Sequence, residues 1–68
     1  MIVVIQLNNR PEQYDEGMTV KSLIKKKRFT HPMLIVRING QYIEEEMYAE
    51  TPIHDGDDVK IIHPIAGG

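Results

Sequence analysis

Asp55-Gly56-Asp57-Asp58-Val59-Lys60-Ile61-Ile62-His63-Pro64-Ile65-Ala66-Gly67-Gly68, residues 55–68, is the stretch that decides the fold. Gly56 between aspartates supplies the backbone freedom of a tight turn. Asp58 to His63 then reads as a strand. Lys60 marks its solvent side, so Val59 and Ile61 face inward and Ile62 outward. Pro64 has no N–H to give a ladder and stops the pairing. The residues after His63 reach about 16 Å at ~3.3 Å each. Glycine maximises backbone freedom and buries no side chain, so Gly67-Gly68 adds nothing to a core. What it supplies is access: a bare backbone enters a slot too narrow for side chains, carrying the Gly68 main-chain carboxylate. The plain alternatives are a frayed end or an expression remnant, and the rest of the chain weighs between them.

Upstream, Leu34 to Ile38 is a second strand. Arg37 sets its faces, with Leu34, Val36 and Ile38 inward and Ile35 outward. Asn39-Gly40 is a two-residue hairpin signal, followed by a short strand at Gln41-Tyr42-Ile43. Glu44 to Tyr48 suits a single helical turn, because acids favour a helix start. Adjacent glutamates on one turn point in different directions, so a solvated face is favoured over a metal site. The Asp-Gly-Asp turn cannot by itself furnish the six or more oxygens of a calcium site.

At the front, Met1 to Leu7 is rich in β-branched residues and reads as a strand. Val3, Ile5 and Leu7 point inward, Ile2 and Val4 outward. Asn8-Asn9-Arg10-Pro11 is expected to turn, and Glu12 to Asp15 to return as an edge strand. Thr19 is an N-cap, with Val20, Leu23 and Ile24 at helical spacing. Lys25, Lys26, Lys27 and Arg28 complement the end of the helix dipole. A solvated helix end is favoured over a phosphate or nucleic-acid site, since these are four of only eight basic residues. Phe29 folds back over the core, and His31-Pro32 closes the helical region.

Strand, short strand, helix, strand, short strand, helical turn and strand make a single α+β domain over residues 1–68, with 64–68 as a flexible tail. This is the β-grasp (ubiquitin-like) arrangement. Its mixed five-stranded sheet has the order 2-1-5-3-4, with the first and last strands central and parallel, and one main helix packs on one face. Val3, Ile5, Leu7, Val20, Leu23, Ile24, Leu34, Val36, Ile38, Val59 and Ile61 supply the core. The other face is uncovered. Alternation puts Ile2, Val4, Ile35 and Ile62 there, on three neighbouring strands, as a contiguous patch expected to receive a partner.

Composition narrows the function. The chain has 68 residues, a net charge of -2, 6% aromatics and no cysteine. Its acidic balance argues against general nucleic-acid binding, and its few aromatics give no stacking platform for bases. Without cysteine there is no disulfide, thiolate metal site or thiol nucleophile. No apolar run has membrane length, and no signal-like start is visible, which places the expected site of action in the cytoplasm. His31, His54 and His63 lie in separate elements without metal-ligand spacing. A carrier, substrate or binding module is expected rather than an enzyme.

Val36 to Gly68, VRINGQYIEEEMYAETPIHDGDDVKIIHPIAGG, closely resembles the ubiquitin-like sulfur carriers of thiamine biosynthesis, the ThiS type within the ThiS/MoaD superfamily. The matching parts are the NG turn with an acidic turn behind it, the DGD turn, the apolar last strand and the final GG. Upstream, a strand ending in Asn8 and the Gly17-Met18-Thr19-Val20 helix start agree too. The resemblance implies a cosubstrate that binds no cofactor itself. A partner of the ThiF/MoeB type, using ATP and Mg²⁺, would adenylate the Gly68 carboxylate. A persulfide protein would then supply sulfur to form a thiocarboxylate, with thiazole synthase as the acceptor. Pro64, Ile65 and Ala66 would accompany Gly67 and Gly68 into the partner. Two departures leave the pathway open: the basic run with the longer Phe29–Pro32 loop, and the proline before the tail, a feature of molybdopterin synthase small subunits. That role, another thiocarboxylate donor and a ubiquitin-like protein modifier are the alternatives.

Overall fold

A computed structural model describes residues 3–30 and 33–63. Five strands pair in the order β2-β1-β5-β3-β4: β1 (Val4–Leu7), β2 (Arg10–Gln13), β3 (Ile35–Ile38), β4 (Gln41–Ile43) and β5 (Asp58–Ile62). β1 and β5 run parallel and their neighbours antiparallel. One α-helix, α1 (Val20–Lys26), and a 3₁₀ turn at Glu45–Met47 complete the described elements. The β-grasp arrangement and the strand order expected from the sequence are the ones observed.

The start of α1 is thoroughly satisfied. Thr19 and Ser22 form a capping box, with Ser22 N–H donating to Thr19 Oγ1 and Thr19 N–H to Ser22 Oγ. Val20 N–H donates to Thr51 O and Lys21 N–H to Tyr48 O. Helix-start donors that lack intrahelical partners are thereby paired within the protein.

Two hairpins differ from or match the expectation in an instructive way. Asn39-Gly40 turns as anticipated, both at positive φ. The first hairpin is tighter than anticipated: Asn8 (φ 53) and Asn9 (φ 68) make the whole turn, and Leu7 pairs with Arg10. Pro11 therefore lies inside β2, opposite Gln6, rather than in the turn. Gln6 gives its N–H to Asp57 O, just ahead of β5, so this pair shares no hydrogen bond across β1–β2. Pro11's missing donor thus faces outward from an edge strand, where proline is tolerated.

Ile5, Leu7, Met18, Val20, Leu23, Val36, Ile53, Val59 and Ile61 form the buried core. Ile24, Leu34 and Ile38 pack against it but are only partly buried, and Val3 is half-buried. Met18 and Ile53 were not anticipated. They sit on facing loop segments: Ile53 N–H donates to Met18 O, and Thr19 bridges Pro52. This short junction closes the end of the core beneath the helix start.

Candidate functional site

β5 is the strand that leads toward the glycine pair, and two asparagine carboxamides hold its edges. At its start, Asp58 N–H donates to Asn39 Oδ1 at 2.9 Å, and Asn39 Nδ2 donates to Asp57 Oδ1 at 3.0 Å. Near its end, Ile61 N–H donates to Asn8 Oδ1 at 2.8 Å, while Asn8 Nδ2 donates to Ile61 O at 3.0 Å. Asn9 Oδ1 accepts from Lys60 Nζ at 2.8 Å. β5 is thus fixed from both sides, by β3 along one edge and by β1 with its turn along the other.

The uncovered face carries a graded surface. Ile35 and Ile62 are cross-strand partners, and Ile62 is 49% exposed. Met33, two residues ahead of Ile35 and in phase with it, is 65% exposed. Arg37 stands opposite Lys60 and also opposite Tyr42, forming a cationic and aromatic row behind the aliphatic end. Like charges face to face repel; the Lys60 ammonium is partly balanced by Asp58 Oδ1 at 3.3 Å.

Register corrects the anticipated patch. Val4 O accepts from Gly56 N–H, and Val4 N–H donates to Asp55 Oδ1. Val4 therefore sits at the start of β5, about 20 Å from Ile62 at ~3.3 Å per residue. Alternation gave the right face but not the position along it, and Val4 does not join Ile35 and Ile62. Ile2, Pro64, Ile65, Ala66, Gly67 and Gly68 lie outside the described residues. Met33 was missed because it precedes the strand by a residue; its phase with Ile35 was the available signal.

The basic run divides. Lys26 reaches Asp15 at 2.9 Å and Lys27 reaches Glu12 at 2.9 Å, tying the helix end to the β2 region. The hydrogen bond to Asp15 holds the Lys26 ammonium above the usual lysine range. Arg28 instead joins Phe29, Thr30 and His63 around a shallow hollow of about 290 Å³ beside the end of β5. A larger hollow of about 590 Å³ lies toward the start of β5, among Tyr42, Met47, His54 and Asp57. Among the described residues no group of three His, Asp or Glu side chains is placed to hold a metal ion. No helix among them is long and apolar enough to cross a membrane.

The model of the ThiS family matches residues 5–68. The chain belongs to the ThiS family. In fold it is similar to the crystal structure of the thiamine biosynthesis protein ThiS from Geobacter metallireducens. The TM-score is 0.81 at 25% identity, covering 96% of this chain and 99% of that one. No curated protein matches the chain. The ThiS match takes in β1 from Ile5, both asparagine clamps, the whole of β5 and the glycine pair.

Proposed function

We propose that this protein is a sulfur carrier of thiamine biosynthesis, acting as a cosubstrate in the cytoplasm rather than as an enzyme. The observation that carries the reading is the ThiS family match running through Gly67 and Gly68. A carboxylate is a poor electrophile, so a partner adenylating enzyme must first activate it. A Gly68 carboxylate oxygen attacks the α-phosphate of Mg²⁺-bound ATP, and pyrophosphate leaves. The terminal sulfur of a protein persulfide then attacks the acyl adenylate, and AMP leaves. A thiol attacks the resulting acyl disulfide at the donor's sulfur and frees the thiocarboxylate, closing a disulfide. ATP, Mg²⁺ and the persulfide belong to partners.

Met33, Ile35 and Ile62 form the docking end, beside the strand that continues into residues 64–68. Burying such aliphatics gives the adenylating enzyme a grip, while residues 64–66 span from His63 to the glycine pair. The test is ATP–pyrophosphate exchange by a thiamine-pathway adenylating enzyme, followed by sulfur transfer to thiazole synthase. Exchange that depends on this chain, and a thiocarboxylate consumed by thiazole synthase, are expected. Exchange without onward transfer to thiazole synthase, but with transfer to a molybdopterin synthase large subunit, would overturn the pathway.

A further inference from the structure

Asp57, just ahead of β5, and Val59 and Ile61 within it turn main-chain groups toward β1. Asp57 O receives Gln6 N–H and Val59 O receives Asn8 N–H, both at 2.9 Å. β1 ends there, because Asn8 enters the left-handed region at φ 53 and the chain turns into β2. Ile61 is the next residue needing a partner, and it is only 2% exposed. The Asn8 carboxamide has the donor and acceptor of a peptide group, and it supplies both to Ile61 at 3.0 and 2.8 Å. One side chain therefore adds a rung to the parallel ladder after its own strand has left. An unpaired N–H and C=O at so buried a position would be costly, and the strand end would open to reach water.

We propose that Asn8 is a positioning residue for the chemistry at Gly68: its carboxamide fixes β5 through Ile61, so that the segment beyond His63 starts from a set point and direction. This rests on the sulfur-carrier reading above. Asn39 provides the matched comparison, with the same side chain, left-handed backbone and β5 partner, but at the opposite end of the strand.

The experiment uses Asn8→Gly and Asn39→Gly, since glycine keeps the left-handed turn while removing the carboxamide. Asn8→Asp keeps the acceptor for Ile61 N–H but turns a carboxylate oxygen toward Ile61 O in place of the donor. It serves as the second variant should Asn8→Gly fold poorly, since aspartate also tolerates the left-handed region. Hydrogen exchange of the free proteins is expected to accelerate about tenfold at Ile61 in Asn8→Gly and to change little there in Asn39→Gly. With the adenylating enzyme and ATP, Asn8→Gly is expected to lower kcat about tenfold. KM should stay near that of the wild type, because the docking residues are untouched. Asn39→Gly should leave kcat unchanged. Faster Ile61 exchange with wild-type kcat would make Asn8 merely structural and overturn the proposal, as would an equal fall in kcat for both glycine variants. If the wild type itself forms no adenylate, the sulfur-carrier reading fails and takes the positioning role with it, whatever the exchange data show.

Discussion

The two ends of β5 are held by the same device and finished differently. At the start, Asn39 grips Asp57 and Asp58, the DGD turn folds over Val4, and acidic groups ring the strand. At the other end, Asn8 grips the backbone of Ile61, and the surroundings turn aliphatic and cationic with Met33, Ile35, Ile62 and Arg37. A carboxamide clamp by itself therefore marks only a strand that must not fray. What surrounds the clamp differs: among the described residues, Met33, Ile35 and Ile62 lie at the end of β5 that precedes residues 64–68, whereas Tyr42 and Met47 lie toward its start.

The largest effect should come from β5's inner face. Ile61→Ala removes a side chain that is 2% exposed and is expected to cost about 2–5 kcal/mol in denaturant unfolding. A cost below about 1 kcal/mol would mean that this end of the strand is loosely packed.

Next comes a matched pair on the outer face. Ile62→Ser should weaken the adenylating enzyme's KM by about tenfold, whereas Val4→Ser should shift it less than about twofold. Equal losses would erase the distinction between the two ends and put the docking surface across the whole sheet.

The smallest effect concerns Lys26. Its folded pKa is raised by Asp15, so its contribution to stability is fully present below the unfolded value of 10.5 and is lost as pH rises through the folded value. Thermal melts of wild type and Lys26→Gln should therefore differ by a small constant amount from about pH 6 to 9. A difference that varied across that window would point to another titrating group.

The fold was legible because its signals were local and repeated. Lys60 and Arg37 each fixed the faces of a strand, Thr19 announced the helix, and Asn39-Gly40 announced a hairpin. Pro11 misled because proline reads as a turn residue unless the strand is known to be an edge, and edges are properties of the sheet. Met18 and Ile53 carry no periodicity, so only the pairing of their loops shows that they are core. Alternation puts Val4 and Ile62 in one patch because it reports a face, while position along the sheet depends on a register set by residues 52 positions away. Asn8 was visible as a turn residue, but its second role depends on Ile61, which only the folded chain brings within reach.

The central claim is that Gly68 is the reactive group, and intact-mass spectrometry tests it most directly. The protein would be incubated with a thiamine-pathway adenylating enzyme, ATP, Mg²⁺, a persulfide donor and a thiol. The account predicts a mass gain equal to one oxygen exchanged for one sulfur, located at Gly68, and no gain when Gly68 is deleted or followed by an added residue. A gain that survives either change, or that maps to another residue, would contradict it.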